Sequence, residues 1–151
     1  MNLGTNSYKF FRKDVMFMGK LGEFINIDPY QDKRGMLKKI IMKSQLQDSS
    51  EVGEVYLLYS NHNSVRGNHY HKNTFEYFTV ISGRAKVALK DLSQGVHEEF
   101  YMSADDNVVL KIPPYMVHAF KNEYIDPLII LAVSTKEYSE SDTDTYIEEI
   151  L

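Results

Sequence analysis

The chain has 151 residues, 43% of them hydrophobic and 25% charged, with a formal net charge of −4 and no cysteine. This length suits one domain with a substantial core, and the composition is that of an ordinary soluble globular protein. The negative balance argues against nonspecific nucleic-acid binding, and the lack of thiols excludes disulfides and thiolate metal sites.

Residues 1–22 are polar, with charges at Lys9, Arg12, Lys13 and Asp14. They lack the apolar stretch of a secretory leader and are expected to form an amino-terminal arm or edge strand. No apolar run approaches the length of a membrane span, so a cytoplasmic location with no membrane partner is expected. From Glu23 onward nearly every segment carries the period-2 pattern and β-branched or aromatic enrichment of strands. Phe24–Ile27 is the first, ended by Asp28-Pro29, and Met36–Met42 follows the turn Asp32-Lys33-Arg34-Gly35. Glu54–Tyr59 comes next, then a polar loop at Asn61–Ser64, then strands at Gly67–His71 and Phe75–Ile81. Ser82-Gly83-Arg84 reads as a tight hairpin turn into Ala85–Leu89. Glu98–Met102, Val108–Ile112, Val117–Lys121 and Leu128–Val133 complete the series. So many short strands without a convincing helix predict a β-sandwich or barrel over residues 23–135. Residues 136–151 form an acidic carboxy-terminal extension whose last part, Thr145–Leu151, reads as a strand or a short helix.

Two pieces of this strand-rich region carry chemistry. One is His69-Tyr70-His71-Lys72-Asn73-Thr74-Phe75-Glu76, closed by Gly83; the other runs from Ile112 to Asn122 and contains Pro113 and His118. His69 and His71 are two apart on a strand and so share a face. Glu76 follows a short turn that can fold it back toward them, and His118 supplies a fourth group from a separate strand. Such a set suits a divalent transition metal. An isolated histidine is better read as a hydrogen-bonded surface or core residue, which is the reading for His62 and His97. The chain is also rich in aromatics, with 11 Tyr and 8 Phe. Tyr59, Tyr70, Tyr77 and Phe120 are candidates to stack on a base or sugar, although strand aromatics more often pack in a core or on a sheet surface.

The two pieces resemble the motifs of the cupin superfamily, His-x-His-x4-Glu-x6-Gly and Pro-x-Gly-x2-His-x3-Asn. Tyr115 stands in place of the second motif's glycine, which is expected to put a ring at the pocket mouth; Pro113, His118 and Asn122 keep their places. The resemblance implies an all-β fold, the double-stranded β-helix or jelly roll. A narrower resemblance, to the cupins of nucleotide-sugar biosynthesis, rests on Asp32-Lys33-Arg34-Gly35, Val65-Arg66-Gly67-Asn68-His69-Tyr70-His71, Ile112-Pro113-Pro114 and Asp144-Thr145-Tyr146. It covers the chain from about Ile27 onward. The similar groups are the carboxy-terminal cupin domain of the bifunctional capsular polysaccharide reductase, the dTDP-sugar 3,4-ketoisomerases and dTDP-4-dehydrorhamnose 3,5-epimerase.

The resemblance implies an isomerase or epimerase that moves a proton next to the carbonyl of a nucleotide-linked 4-keto-6-deoxy sugar, in surface polysaccharide biosynthesis. The nucleotide would be dTDP or UDP. Such chemistry needs a base at carbon and stabilisation of the enolate oxygen. Either His69 and His71 act as base and acid, with no cofactor, or His69, His71, Glu76 and His118 hold a metal and the base is another group such as Tyr56. Zinc is the favoured ion, with iron, manganese and nickel as alternatives. Arg34, Arg66 and Lys72 are the expected contacts to the diphosphate or sugar, arginine's planar fork suiting phosphate oxygens. The resemblance further implies a homodimer. Two other functions fit the same residues: a non-catalytic sugar-binding cupin, and a metal-dependent cupin oxygenase.

Overall fold

The computed structural model describes residues 21–47 and 51–151. The arm expected over residues 1–22 therefore lies outside the described residues, apart from its last two. The described residues form twelve strands: β1 (Glu23–Asn26), β2 (Tyr30–Asp32), β3 (Gly35–Leu37), β4 (Glu54–Ser60), β5 (Val65–Tyr70), β6 (Glu76–Ser82), β7 (Arg84–Asp91), β8 (His97–Ser103), β9 (Val108–Ile112), β10 (Met116–Lys121), β11 (Leu128–Ser134) and β12 (Tyr146–Ile147). One five-stranded sheet has the order β1-β9-β6-β11-β4, and the other has the order β12-β5-β10-β7-β8. All pairings are antiparallel. From β4 to β11 the chain passes repeatedly from one sheet to the other, which is the expected double-sheet jelly roll. Among the described residues no helix is long and apolar enough to cross a membrane.

Period-2 alternation decides which residues meet between the sheets. Phe78, Val80, Val87, Leu89, Leu110, Ile112, Phe120, Leu128 and Ile130 face inward and form the main core. Their immediate neighbours Tyr77, Val109 and Val133 belong to a second cluster with Ile27, on the opposite face of the first sheet. Ile40, Ile41 and Leu46 pack against that cluster, and the Tyr77 hydroxyl accepts a hydrogen bond from the Gln47 N–H at 2.7 Å.

Every strand predicted from Glu54 to Val133 is present, with ends displaced by two residues or fewer. Two expectations fail. Met36–Met42 is not a strand beyond Leu37: β3 pairs only with β2, in a separate two-stranded ribbon. The apolar residues after it cover the second cluster, with a short 3₁₀ turn at Lys43–Gln45. A strand's backbone groups need a partner, and among the described residues no strand lies beside residues 38–42. The second failure is the hairpin at Ser82-Gly83-Arg84. β6 and β7 lie in different sheets, so this turn is a corner between layers. Gly83 makes it with φ +82°, where an added Cβ would stand 3.0 Å from the Pro127 carbonyl oxygen. The carboxy-terminal segment, left open between strand and helix, contributes β12, which pairs with β5 through Tyr146–Tyr70 and Ile147–His69.

Candidate active site and metal centre

β5 and β10 position three of the four sites. Their pairing is interrupted by a bulge: His69 lies opposite His118, Gly67 opposite Ala119 and Arg66 opposite Phe120. Asn68 is the extra residue, at φ 57°, and it follows Gly67 at φ +93°. A Cβ on Gly67 would meet the His118 carbonyl oxygen at 2.5 Å, so the close approach of the strands requires glycine. The bulge changes the parity of β5. Simple alternation would put Arg66 on the face of Asn68 and Tyr70, opposite His69. Instead Arg66 and His69 both line one cavity, with Gly67, Tyr56, Leu58, Phe78, His118 and Phe120. The cavity measures about 190 Å³ and lies between the sheets. Whole small-molecule sites usually enclose roughly 300–1,000 Å³, so this cavity is smaller than a typical ligand site.

His69, His71, Glu76 and His118 bring one donor atom each to within 4.8 Å of one another. His69 stands edge to face against His71 and His118, with ring centroids 5.0 and 4.7 Å away. Glu76 Oε2 is 3.1 Å from both His71 Nε2 and His118 Nε2. These distances suit ion pairing, yet Glu76 Oε2 and His71 Nε2 are buried without an aligned hydrogen-bond partner. The reason is visible for His71. Its Nδ1 lies 2.7 Å from the Asp144 carbonyl, which can only accept, so Nδ1 carries a proton, and in the neutral ring Nε2 presents a lone pair. Two lone-pair donors then face each other across 3.1 Å. Two ligands about 2.0–2.2 Å from one ion, at angles near tetrahedral, are themselves separated by about 3.3–3.6 Å, slightly more than the spacing here. A carbonyl accepting from the remote ring nitrogen is also the usual support for a ligating histidine. His71, Glu76 and His118 therefore fit a divalent ion by donor chemistry and by their close spacing, with His69 a fourth donor within 4.8 Å.

The electrostatics separate the members. Burial, reinforced by His118, pushes the His69 pKa down to about 4, so the ring is neutral near pH 7. For Glu76, burial favours the protonated form, but the His118 and His71 rings outweigh it and hold the carboxyl below the usual range. Burial alone would lower His71; contact with Glu76 and Asp144 reverses this and raises it. Tyr56 donates its hydroxyl to Glu76 Oε1 at 2.7 Å, and burial beside that carboxylate raises its pKa far above the ordinary phenol value. It is a bound donor, which disfavours the base role expected for it.

Of the residues expected to bind substrate, Arg66 lines the cavity and also donates to the Tyr59 carbonyl at 3.1 Å. Arg34 does not reach the cavity. It sits at the exposed tip of the β2–β3 ribbon, paired with Asp32 at 2.6 Å. Lys72 lies over the Tyr146 ring, 4.0 Å from its centroid, and is likewise off the cavity lining. Among the aromatic candidates only Phe120 lines it. Tyr77 is engaged on the opposite face of the sheet, and Tyr59 is exposed. Tyr115 is not among the residues lining the cavity: at φ 65° it stacks on Tyr70, which stacks in turn on Tyr146. Asn122 is a structural residue, fully buried and bonded to Ser60, Asp126 and Tyr124. His62 and His97 stand apart from the quartet, near the Tyr124 carbonyl and Glu99 respectively.

Three residues of the site were not singled out in the sequence. Leu58 and Phe78 line the cavity from inward positions that their strands' alternation would have indicated. Asp144 was visible only within Asp-Thr-Tyr. Its buried carboxylate accepts from Lys72 N, Asn73 N, Asn73 Nδ2 and Thr74 Oγ1.

Residues 30–146 match the family described as the polysaccharide biosynthesis C-terminal domain. The chain is 20% identical over 121 residues to UDP-2-acetamido-2,6-beta-L-arabino-hexul-4-ose reductase of Pseudomonas aeruginosa, covering 80% of this chain and 31% of the relative. It is 27% identical over 85 residues to the spore coat polysaccharide biosynthesis protein SpsL of Bacillus subtilis, covering 53% and 56%. The chain thus spans between about a third and just over half of the curated relatives it matches. Among solved structures, the sugar 3,4-ketoisomerase QdtA of Thermoanaerobacterium thermosaccharolyticum, in complex with TDP, superposes with a TM-score of 0.70 at 22% identity, covering 85% of this chain and 89% of that one. dTDP-4-dehydrorhamnose 3,5-epimerase of Bacillus anthracis gives 0.68 at 20%, covering 80% and 75%. The capsular polysaccharide assembling protein CapF of Staphylococcus aureus gives 0.63 at 23%, covering 83% and 33%.

Proposed function

The chain belongs to the polysaccharide biosynthesis C-terminal domain family, and from that premise we propose that it is an isomerase or epimerase of nucleotide-linked 4-keto-6-deoxy sugars in surface polysaccharide assembly. The observation that carries the reading is the cavity itself. It sets a neutral imidazole, His69, beside a cationic fork, Arg66, in one small space. The dTDP- or UDP-linked relatives and neighbours support the substrate class.

His69, with its low pKa, takes a proton from the carbon next to the keto group, and the resulting enolate takes a proton back at carbon from the protonated ring or from solvent. Arg66, at the cavity wall, binds the sugar or the diphosphate that continues outward from it. Tyr56 keeps its proton and holds Glu76 in place. Phe78, Phe120 and Leu58 exclude water, which strengthens these polar contacts. His69, His71, Glu76 and His118 would hold a divalent ion, zinc by the donor set, and bound there it supplies Lewis-acid polarisation of the keto oxygen. A His69 lone pair committed to an ion is not free for a proton. Its role as base therefore belongs to a site in which His71, Glu76 and His118 are the ligands, or to a metal-free site. Arg34 and Lys72 would take part only through the nucleotide portion lying outside the cavity.

The test is solvent deuterium exchange into dTDP- and UDP-linked 4-keto-6-deoxy sugars, read by NMR. Exchange at C3 or C5 is expected with one of the two nucleotides, and His69→Asn should slow it by about 10²–10⁴-fold. No exchange with either nucleotide would sink the catalytic reading in favour of a binding module. Oxygen consumption without exchange would instead favour the oxygenase.

The proposal includes a homodimer. On the outer face of β4, Val55, Leu57 and Tyr59 are 59%, 44% and 58% exposed, an apolar row on the strand that edges the first sheet among the described residues.

A further inference from the structure

The turn Lys72-Asn73-Thr74-Phe75 must return the chain so that Glu76 meets His71 across 3.1 Å. The ends of this segment are bonded to Tyr115 and Thr135, and its middle is held by a residue about seventy positions later. Asp144 Oδ1 accepts from Lys72 N at 3.1 Å and Asn73 Nδ2 at 3.2 Å; Oδ2 accepts from Asn73 N at 3.0 Å and Thr74 Oγ1 at 2.7 Å. All four hydrogen bonds come from three consecutive residues of the turn. The same residue's main-chain carbonyl accepts the His71 Nδ1–H. Both contacts are possible together because Asp144 adopts a left-handed backbone, φ 43°, a conformation that aspartate and asparagine tolerate better than most residues.

We propose that Asp144 is the positioning residue of the site: its carboxylate moulds the His71–Glu76 turn, and its carbonyl selects the His71 tautomer whose Nε2 faces Glu76. The inference rests on the metal-centre reading only for its affinity consequence. Tautomer selection stands whether or not an ion binds. Supports of this kind typically change metal affinity by about 10–100-fold when removed.

The test compares the wild type with Asp144→Asn, which keeps the size and backbone tolerance but replaces one acceptor with a donor facing N–H and O–H groups. Two readouts are taken on each protein. One is ¹H–¹⁵N correlation of histidine-labelled, metal-free protein, recorded at a pH high enough to keep His71 neutral, which reports its tautomer. The other is zinc(II) affinity by competition with a chromophoric chelator. The expected result is a single Nδ1–H tautomer in the wild type and a mixture in Asp144→Asn, with zinc affinity reduced about 10–100-fold. Unchanged tautomer signals and unchanged zinc affinity in the variant would overturn the proposal. If Asp144→Asn does not fold, Thr74→Val removes a single hydrogen bond of the four, and wild-type behaviour of that variant in both readouts is equally fatal. If the wild type binds no zinc, the metal-centre reading fails by itself, and the tautomer comparison alone decides the role of Asp144.

Discussion

Glu76 is engaged through both carboxylate oxygens: Oε1 takes the Tyr56 hydroxyl and Oε2 faces two imidazoles. This division lets two substitutions be told apart. Glu76→Gln keeps a carbonyl oxygen for Tyr56 but loses the anionic ligand. Glu76→Ala also leaves the Tyr56 hydroxyl buried without a partner, which costs about 1–3 kcal/mol. Both variants should bind zinc far more weakly than the wild type in a chelator competition. In urea unfolding, Glu76→Ala should be the less stable of the two by that margin, and equal stabilities would show that the Tyr56 contact is of no energetic consequence. At this scale the sequence was informative, because a His-x-His pair, a carboxylate and a distant histidine are chemically unusual together on strands. It could not reveal which oxygen faces which ring, or that Asp144 supports the turn, since those facts depend on atoms brought together across about seventy residues.

The strands themselves were legible wherever alternation served burial between the two sheets. They were misread where apolar residues served something else. Residues 38–42 carry β-branched side chains because Ile40 and Ile41 cover an outer cluster, and burial by itself carries no information about backbone pairing. Ser82-Gly83-Arg84 looks like a hairpin because the local conformation of a corner and of a hairpin both favour glycine. The β5 bulge was hidden for a similar reason: Gly67-Asn68 reads as continuous strand until the partner's register is known. Gly67→Ala tests how much depends on it. Alanine would sit at φ +93° with its Cβ 2.5 Å from a backbone oxygen, so the variant should lose about 2 kcal/mol or more. In urea unfolding the midpoint should fall; a variant as stable as the wild type would mean that β5 can re-register without cost. Restoring simple alternation would also turn Arg66 away from His69.

Over the whole molecule, two sheets enclose one main core, and the reactive groups lie at the gap where inward residues change from aliphatic to polar. Phe78 and Phe120 belong to the core and line the cavity at once, which ties site geometry to packing. The outer faces are treated differently. Beside β9 and β6 the first sheet is covered by Ile40, Ile41 and Leu46, whereas β4 exposes Val55, Leu57 and Tyr59 among the described residues. If that row seats a second copy, Leu57→Lys should weaken dimerisation by at least about tenfold, since burying a leucine side chain contributes about 1.5–3 kcal/mol. Sedimentation equilibrium across a concentration series reads this directly, and a monomeric wild type would refute the dimer. The covalent order of the chain was enough to anticipate the layered all-β architecture, whereas the placement of exposed and covered patches depended on loops whose course no periodicity encodes.

Asn68 bonds through its side chain to Ile150 and Leu151, 82 and 83 residues away, and β12 closes on β5 beside it. That wiring has a consequence for the order in which the protein matures. Translation adds roughly 5–20 residues per second, so the strand bearing His69 leaves the ribosome several seconds before the segment that fastens it. Until that segment arrives, the imidazoles and Glu76 lack the restraint that sets their spacing. Assembly of the candidate site therefore waits on a segment about eighty residues downstream of His69, by which time the bulk of both sheets has been synthesised.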